Sequence, residues 1–138
     1  MTARYVLDAC ALIAFLTDEA GGDTVGSLLE QARAEKIEMR MNSLNLLEVY
    51  YGLYREYGKE YADSELAMIK KLPVTFNLRL DDEVLIVAGR LKASYRVSLA
   101  DSVALAEAFV SGGSLLTADH HELDAIEQSE NIKFSWIR

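Results

Sequence analysis

Four acidic residues occupy apolar stretches that are far apart along the chain. Asp8 lies between YVL and ACALIAFL, Glu48 within SLNLLEVYYGLY, Asp101 within SLADSVALAEAF, and Asp119 within SLLTADHH. Because a carboxylate is costly to bury without a partner, its presence in such a stretch requires an explanation. Taken singly, Asp8 fits a helix cap, and the Asp101 and Asp119 stretches fit capping boxes. Glu48 alone fits a solvated helix face.

The periodicity of the apolar residues predicts the elements that would position these acids. Strands alternate with one or two helices, which favours a single α/β domain over residues 1–138 with helices on both faces of a mostly parallel sheet. Gly58, Pro73 and the pair that begins at Gly112 mark element ends. The predicted strands cover residues 4–8, 37–41, 74–78, 114–118 and 132–137, and the predicted helices cover 9–17, 23–36, 43–57, 61–72, 81–95, 98–111 and 120–128.

This arrangement can bring the four acids to one edge of the sheet. Asp8 and Asp119 end predicted strands, at the edge where open α/β sheets bind ligands. Asp101 opens the helix before the fourth strand, and Glu48 lies near the start of the helix after the second, so both can reach that edge. Glu107 lies about 240° around the helix from Asp101 and is therefore predicted to face solvent.

Carboxylates that meet in one crevice resist joint ionisation, and a divalent cation removes that conflict. Oxygen ligands without cysteine or histidine favour Mg²⁺ or Mn²⁺ over Zn²⁺. Two divalent ions would balance the charge of the four acids, whereas one would leave a charge of −2. We therefore expect two ions during turnover, with a single ion before the substrate binds as the alternative. Such a site suits phosphodiester hydrolysis, because the metal activates water and offsets charge on the phosphoryl oxygens.

The composition limits the classes of partner. With 14 basic and 22 acidic residues, the net charge of −8 argues against a broad electrostatic grip on nucleic acid. A nucleic-acid function would therefore need acids that hold metal ions. The only cysteine, Cys10, cannot form an internal disulfide, and ALIAFL is too short to span a bilayer. We therefore expect a cytoplasmic protein without a membrane partner.

The four acidic stretches, in this order and spacing, resemble those of PIN-domain ribonucleases and in particular of VapC-type toxins. The similar stretches are YVLDACAL, NLLEVYYGL, SLADSVALAEA and LLTADHHEL, and they cover almost the whole chain. The resemblance implies a three-layer α/β/α sandwich and an endoribonuclease that depends on Mg²⁺ or Mn²⁺. It also implies a homodimer, an RNA substrate and a cognate antitoxin that binds over the active site.

The resemblance also implies roles for individual residues. Asp8, Glu48, Asp101 and Asp119 take the positions of the catalytic, metal-binding acids, and Thr117 matches a hydroxyl residue that helps to orient the site. Cys10 departs from the family pattern, which usually has serine or another polar residue at that position. A thiol is a weak hydrogen-bond donor, so we expect weaker support here for the first aspartate or for a phosphate. Because no histidine is placed near it, Cys10 fits a small buried hydrophobe better than a nucleophile.

Basic and aromatic residues outside the acidic stretches allow two interpretations each. The basic side chains could form a positive rim for RNA phosphates or belong to an ordinary solvated helix face. The tyrosines could form a stripe for core or dimer packing, for antitoxin docking or for base stacking. The pair of histidines after the last acid fits the surface, with a supporting contact to the site acids or an RNA contact from His120 as the alternative. These residues are Arg79, Arg90, Lys92 and Arg96; Tyr50, Tyr54, Tyr57 and Tyr61; and His120 and His121.

Two other functions compete with a ribonuclease. Phosphatases that form an aspartyl-phosphate need a second aspartate two residues after the first, where Cys10 stands, and receiver domains need a paired acid and a late lysine. The second alternative is a catalytically idle PIN-fold module that binds RNA or protein. The sequence does not identify the RNA, so transfer, ribosomal and messenger RNA all stay open.

Overall fold

The computed structural model describes residues 2–138, which form a five-stranded parallel sheet between two layers of helices. The strand order is β3-β2-β1-β4-β5, and every neighbouring pair is parallel. The predicted α/β sandwich is therefore confirmed. The elements are β1 (Ala3–Leu7), α1 (Ala9–Leu16), α2 (Gly22–Arg33), β2 (Ile37–Asn42), α3 (Ser43–Tyr57), α4 (Lys59–Ile69), β3 (Thr75–Asn77), α5 (Asp82–Ser94), α6 (Leu99–Ser111), β4 (Ser114–Thr117), α7 (His120–Ser129) and β5 (Lys133–Trp136).

Side chains alternate across the sheet and build a core on each face. Leu7, Met41 and Leu116 pack with helices α1 to α4 on one face. Val6 and Leu115, their neighbours along the strands, pack with α5, α6 and α7 on the other. The apolar strands thus supply both cores, as expected for a parallel sheet covered on both sides.

The chain path creates a crevice between β1 and β4. Helix α1 leaves β1 toward one face of the sheet, whereas α7 leaves the adjacent β4 toward the other. The two connections therefore diverge at the carboxyl ends of β1 and β4, and such a switch point is where α/β sheets bind ligands.

The predicted elements differ from the observed ones mainly at their ends. The helix predicted over 61–72 begins at Lys59, directly after Gly58, whose φ of 90° separates it from α3. It ends at Ile69, before Pro73. The tyrosine stripe is therefore divided between two helices, although the Tyr57 and Tyr61 rings remain 4.6 Å apart. No helix among residues 2–138 is long and apolar enough to cross a bilayer.

Candidate active site

Asp8 lies at the carboxyl end of β1 and caps α1. Its Oδ1 accepts a hydrogen bond of 2.8 Å from the Ala11 N–H, and only 1% of the residue is exposed. Burial raises the pKa of Asp8 to about 6, and repulsion from Asp119 and Glu48 adds to the rise. The Thr117 hydroxyl opposes the rise by donating a hydrogen bond to the carboxylate. Asp8 is thus a buried acid held in one orientation by two donors.

Asp101 lies in the first turn of α6, beside Asp8. Its N–H donates to the Oγ of Ser98, which caps the helix. Burial raises the pKa of Asp101 to about 8, and the charge of Asp8 and a hydrogen bond with the Glu122 carboxyl raise it further. With a pKa of about 8, Asp101 holds a proton at neutral pH in the metal-free protein.

Asp119 completes the cluster from the amino end of α7. Its Oδ1 accepts from the Glu122 N–H at 3.2 Å, and its own N–H donates to the Thr117 Oγ1 at 3.1 Å. One oxygen each of Asp101, Asp119 and Glu122 lies within 4.8 Å of the others. Thr117 therefore connects Asp8 to Asp119, because its hydroxyl bonds to both residues.

Glu48 approaches the cluster from α3. Burial raises its pKa, and repulsion from Glu122 adds to the rise. Glu48 in turn raises the pKa of both Asp8 and Asp101, so its carboxylate lies within electrostatic range of each. The structure thus brings all four predicted acids to one edge and adds Glu122. The sequence signal for Glu122 was its capping-box spacing after Asp119, which had indicated only a helix start.

A buried asparagine that sequence reasoning missed ties the acidic segments together. The Asn45 Oδ1 accepts from the Ala9 N–H at 3.2 Å, and its Nδ2 donates to the Ala100 carbonyl at 3.1 Å. Asn45 is fully buried, at 0% exposure. It thereby fixes the residue after Asp8 relative to the residue before Asp101. An amide among apolar residues at the start of a helix was the available signal.

The acidic cluster has the properties of a divalent-cation site. Its donors are carboxylate oxygens, which suit Mg²⁺ or Mn²⁺. Burial, and after it repulsion between the acids, raises the pKa of Asp8 and Asp101, so positive charge is needed before all of the acids can ionise together. The residues present therefore fit a divalent ion.

Comparison with known families decides where the chain belongs. The family model described as "PIN domain" matches residues 5–127. The chain belongs to the PIN-domain family. The resemblance inferred from the four acidic stretches is therefore confirmed. No curated protein matches the chain by sequence.

Solved structures with the same fold include VapC toxins of toxin–antitoxin complexes. This PIN domain superposes on a chain of VapBC from Salmonella typhimurium, bound to DNA, with a TM-score of 0.71 and 17% identity over 99% of this chain and 100% of that one. For VapBC2 from Rickettsia felis, bound to a promoter fragment, the TM-score is 0.70 at 16% identity, covering 96% and 97%. For VapC20 of Mycobacterium tuberculosis, a toxin that cleaves the sarcin-ricin loop, it is 0.64 at 18% identity, covering 88% and 94%.

Cys10 of this PIN domain carries a thiol that stays protonated near neutral pH. Burial raises its pKa to about 11, and the negative charge of Asp8 adds to the rise, while Arg138 lowers it. The side chain is half-buried. Because the thiolate is the reactive form, Cys10 is poorly suited to act as a nucleophile.

Two of the four predicted RNA-contacting cations are engaged in ion pairs. Arg90 binds Glu130 through both terminal nitrogens, at 2.9 and 3.1 Å, and Glu130 lies at the end of α7 opposite Asp119. Arg79 binds Asp81 at 2.6 Å. The structure does not bring either guanidinium to the acids. Lys92 and Arg96 are exposed near the loop that leads to α6.

Glu107 corrects one expectation from the sequence, because only 2% of it is exposed. Its side chain lines a cleft of about 380 Å³ with Arg40 and Arg79, and its carboxylate oxygens have no hydrogen-bond partner among residues 2–138. Burial raises its pKa to about 7, while the two arginines lower it. The helical spacing from Asp101 was correct, but α6 is buried on most sides, so the opposite face does not reach solvent.

Proposed function

We propose that this PIN domain is an endoribonuclease that depends on Mg²⁺ or Mn²⁺ and is the toxin of a toxin–antitoxin pair. The observation that carries the proposal is the meeting of buried and half-buried carboxylates from the end of β1, α3, α6 and α7 at the β1–β4 crevice. Asp8, Glu48, Asp101 and Asp119 would hold one or two ions, with Glu122 as an additional ligand. When bound, such ions supply an activated water and offset the charge that develops on the phosphoryl oxygens.

The protein's own residues prepare this site in two ways. The Ala11 N–H and the Thr117 hydroxyl hold the Asp8 carboxylate, so it is oriented before any ligand arrives. The proton that Asp101 holds at neutral pH must leave before its carboxylate can bind a cation, so ion binding should release protons. Hydrolysis by in-line attack of water would leave a 5′-phosphate and a 3′-hydroxyl.

The VapBC structures support an antitoxin partner for this chain. We propose a cognate antitoxin that covers the acidic edge, a homodimeric toxin and a cytoplasmic location. The free thiol at Cys10 is compatible with a reducing compartment. A short DNA-binding protein encoded next to this chain, and a complex of the two that loses nuclease activity, would support the assignment.

An RNA cleavage assay tests the proposal. Purified protein is incubated with structured and unstructured RNA in Mg²⁺, Mn²⁺ or EDTA, beside Asp8→Asn and Asp101→Asn. An Asp82→Asn variant, which removes an exposed carboxylate in the first turn of α5, is the matched control. Cleavage should require the divalent ion and both site acids, and the control should retain it.

Two outcomes would contradict the proposal. Cleavage that persists in EDTA or in both site variants would remove the mechanism. Binding of RNA without cleavage under every metal condition would favour the idle module, the alternative that the family departure at Cys10 leaves open.

A further inference from the structure

Three aromatic rings stack beside the acidic cluster, on the outer flank of α7 and β5. The His120 and Trp136 rings lie 3.8 Å apart at an interplanar angle of 13°. The Phe134 and Trp136 rings follow at 5.3 Å and 14°. We refer to His120, Trp136 and Phe134 as the ring stack. Near-parallel planes at these spacings form a continuous stack in which His120 is the terminal ring.

The edges of the ring stack are held by hydrogen bonds. The His120 Nδ1 bonds to the Asp124 Oδ1 and its Nε2 to the Arg138 carbonyl, each at 2.8 Å. The Trp136 Nε1–H donates to the Glu127 Oε2 at 3.0 Å. Both nitrogens of His120 are therefore occupied, which leaves neither free to take a proton from water or to bind a metal ion.

One face of the His120 ring remains open. Trp136 covers the other face, and the two nitrogens on the ring edge are bonded, yet 48% of the side chain is exposed. Much of that exposure must therefore come from the uncovered face. A flat ring that is fixed at its edges and backed by a second ring can accept a further ring without reordering side chains.

The position of the ring stack connects it to the site. His120 directly follows Asp119, and consecutive Cα atoms are only about 3.8 Å apart. Trp136 is the register partner of Thr117, whose hydroxyl bonds to Asp8 and Asp119. A nucleotide adjacent to one whose phosphate lies at the acids is therefore within reach of the open ring.

We propose that the open face of His120 is a stacking subsite for an unpaired nucleobase of the RNA, adjacent to the cleaved phosphodiester. This inference rests on the proposed ribonuclease function and adds a substrate feature to it. Proteins recognise unpaired RNA by stacking bases on aromatic side chains, and a base within a duplex offers no free face. The subsite therefore selects RNA that is single-stranded at this position, with little dependence on the identity of the base.

Binding is measured in an Asp101→Asn background, so that the RNA stays intact. Trp136 is the only tryptophan, so its emission reports on the ring stack directly. We expect a short single-stranded RNA to change this emission with saturation, and a fully paired duplex not to do so. His120→Ala should weaken binding about 10-fold, His120→Phe should recover most of that loss because it keeps a ring, and His121→Ala should leave binding unchanged.

An abasic nucleotide supplies the second measurement. An RNA with the abasic nucleotide at the stacking position should bind about 10-fold more weakly to the protein that retains His120. The same change in the RNA should have little further effect on binding to His120→Ala. In the cleaving protein, His120→Ala should raise KM with little change in kcat. Equal affinity of His120→Ala and His121→Ala, no recovery by His120→Phe, or additive effects of ring and base removal would overturn the subsite.

These experiments distinguish failure of the proposed nuclease function from failure of the stacking subsite. A protein that binds RNA with this non-additive pattern but never cleaves it keeps the stacking subsite and loses the nuclease. A protein that cleaves RNA with the same KM after His120→Ala keeps the nuclease and loses the subsite.

Discussion

Replacing Asp8 by asparagine should stabilise the metal-free protein while it removes activity. Asp8 is 1% exposed, and its pKa is raised from 3.8 to about 6, with burial as the main cause. A difference of about 2.2 pKa units, at about 1.36 kcal/mol per unit, means that keeping Asp8 ionised in the folded protein costs about 3 kcal/mol. Asparagine keeps an oxygen that can accept from the Ala11 N–H, so the helix cap should persist.

The sign of the pH dependence follows from the raised pKa. Above pH 6 the carboxylate is ionised in both the folded and unfolded states, and its full cost is present. As the pH falls from 6 toward 3.8, the folded protein takes up the proton first and the cost disappears. Asp8→Asn should therefore raise the free energy of unfolding by up to about 3 kcal/mol at pH 7.5 and by less than about 1 kcal/mol at pH 4.

Urea denaturation in EDTA at several pH values measures this difference, with Asp82→Asn as the control for loss of an exposed acid. Adding Mg²⁺ should stabilise the original protein by about 2.7 kcal/mol at 100 times the dissociation constant, and the Asp8→Asn variant by much less. A lower stability of Asp8→Asn than of the original protein at pH 7.5, or a stability difference between them that does not narrow on acidification, would contradict this prediction.

Three further substitutions and probes test other parts of the structure. Glu107→Gln should raise the free energy of unfolding by about 2–3 kcal/mol more at pH 8 than at pH 5, because burial raises the pKa of Glu107 to about 7. In urea denaturation, a stability difference between variant and original protein that is the same at both pH values would contradict this. Asn45→Ala should lower the free energy of unfolding in urea by about 2–4 kcal/mol, because it leaves the Ala9 N–H and the Ala100 carbonyl without their partner. It should also weaken Mn²⁺ binding measured by calorimetry, and unchanged Mn²⁺ binding would exclude a positioning role for Asn45. Cys10 should react with iodoacetamide about 100-fold more slowly at pH 8 than an unperturbed thiol, since its pKa is raised to about 11, and equal rates would show an exposed, ionisable thiol.

The fold and the acidic cluster were accessible from the sequence because each signal was local. An apolar run that ends in a single acid marks both a strand and its carboxyl edge, and this pattern predicts the positions of Asp8 and Asp119. Parallel strands share that edge, so two such runs are enough to predict a crevice. Glu48 and Asp101 followed from the position of their helices relative to these strands.

The remaining features depend on tertiary packing that a local pattern does not contain. The ion pair of Arg90 with Glu130 joins residues 40 apart in sequence, and only the packing of α5 beside α7 brings them together. The burial of Glu107 depends on α6 being covered on most sides. A helical wheel gives angles between residues but not which angles face solvent.

The most direct test of the acidic site is a crystal soaked in Mn²⁺, with anomalous diffraction recorded to locate the metal. The account predicts an anomalous peak at the β1–β4 crevice, within bonding distance of oxygens from Asp8, Asp101 and Asp119, that is lost in Asp101→Asn. A well-ordered crystal without a peak there, or with Mn²⁺ bound only at other carboxylates, would contradict it.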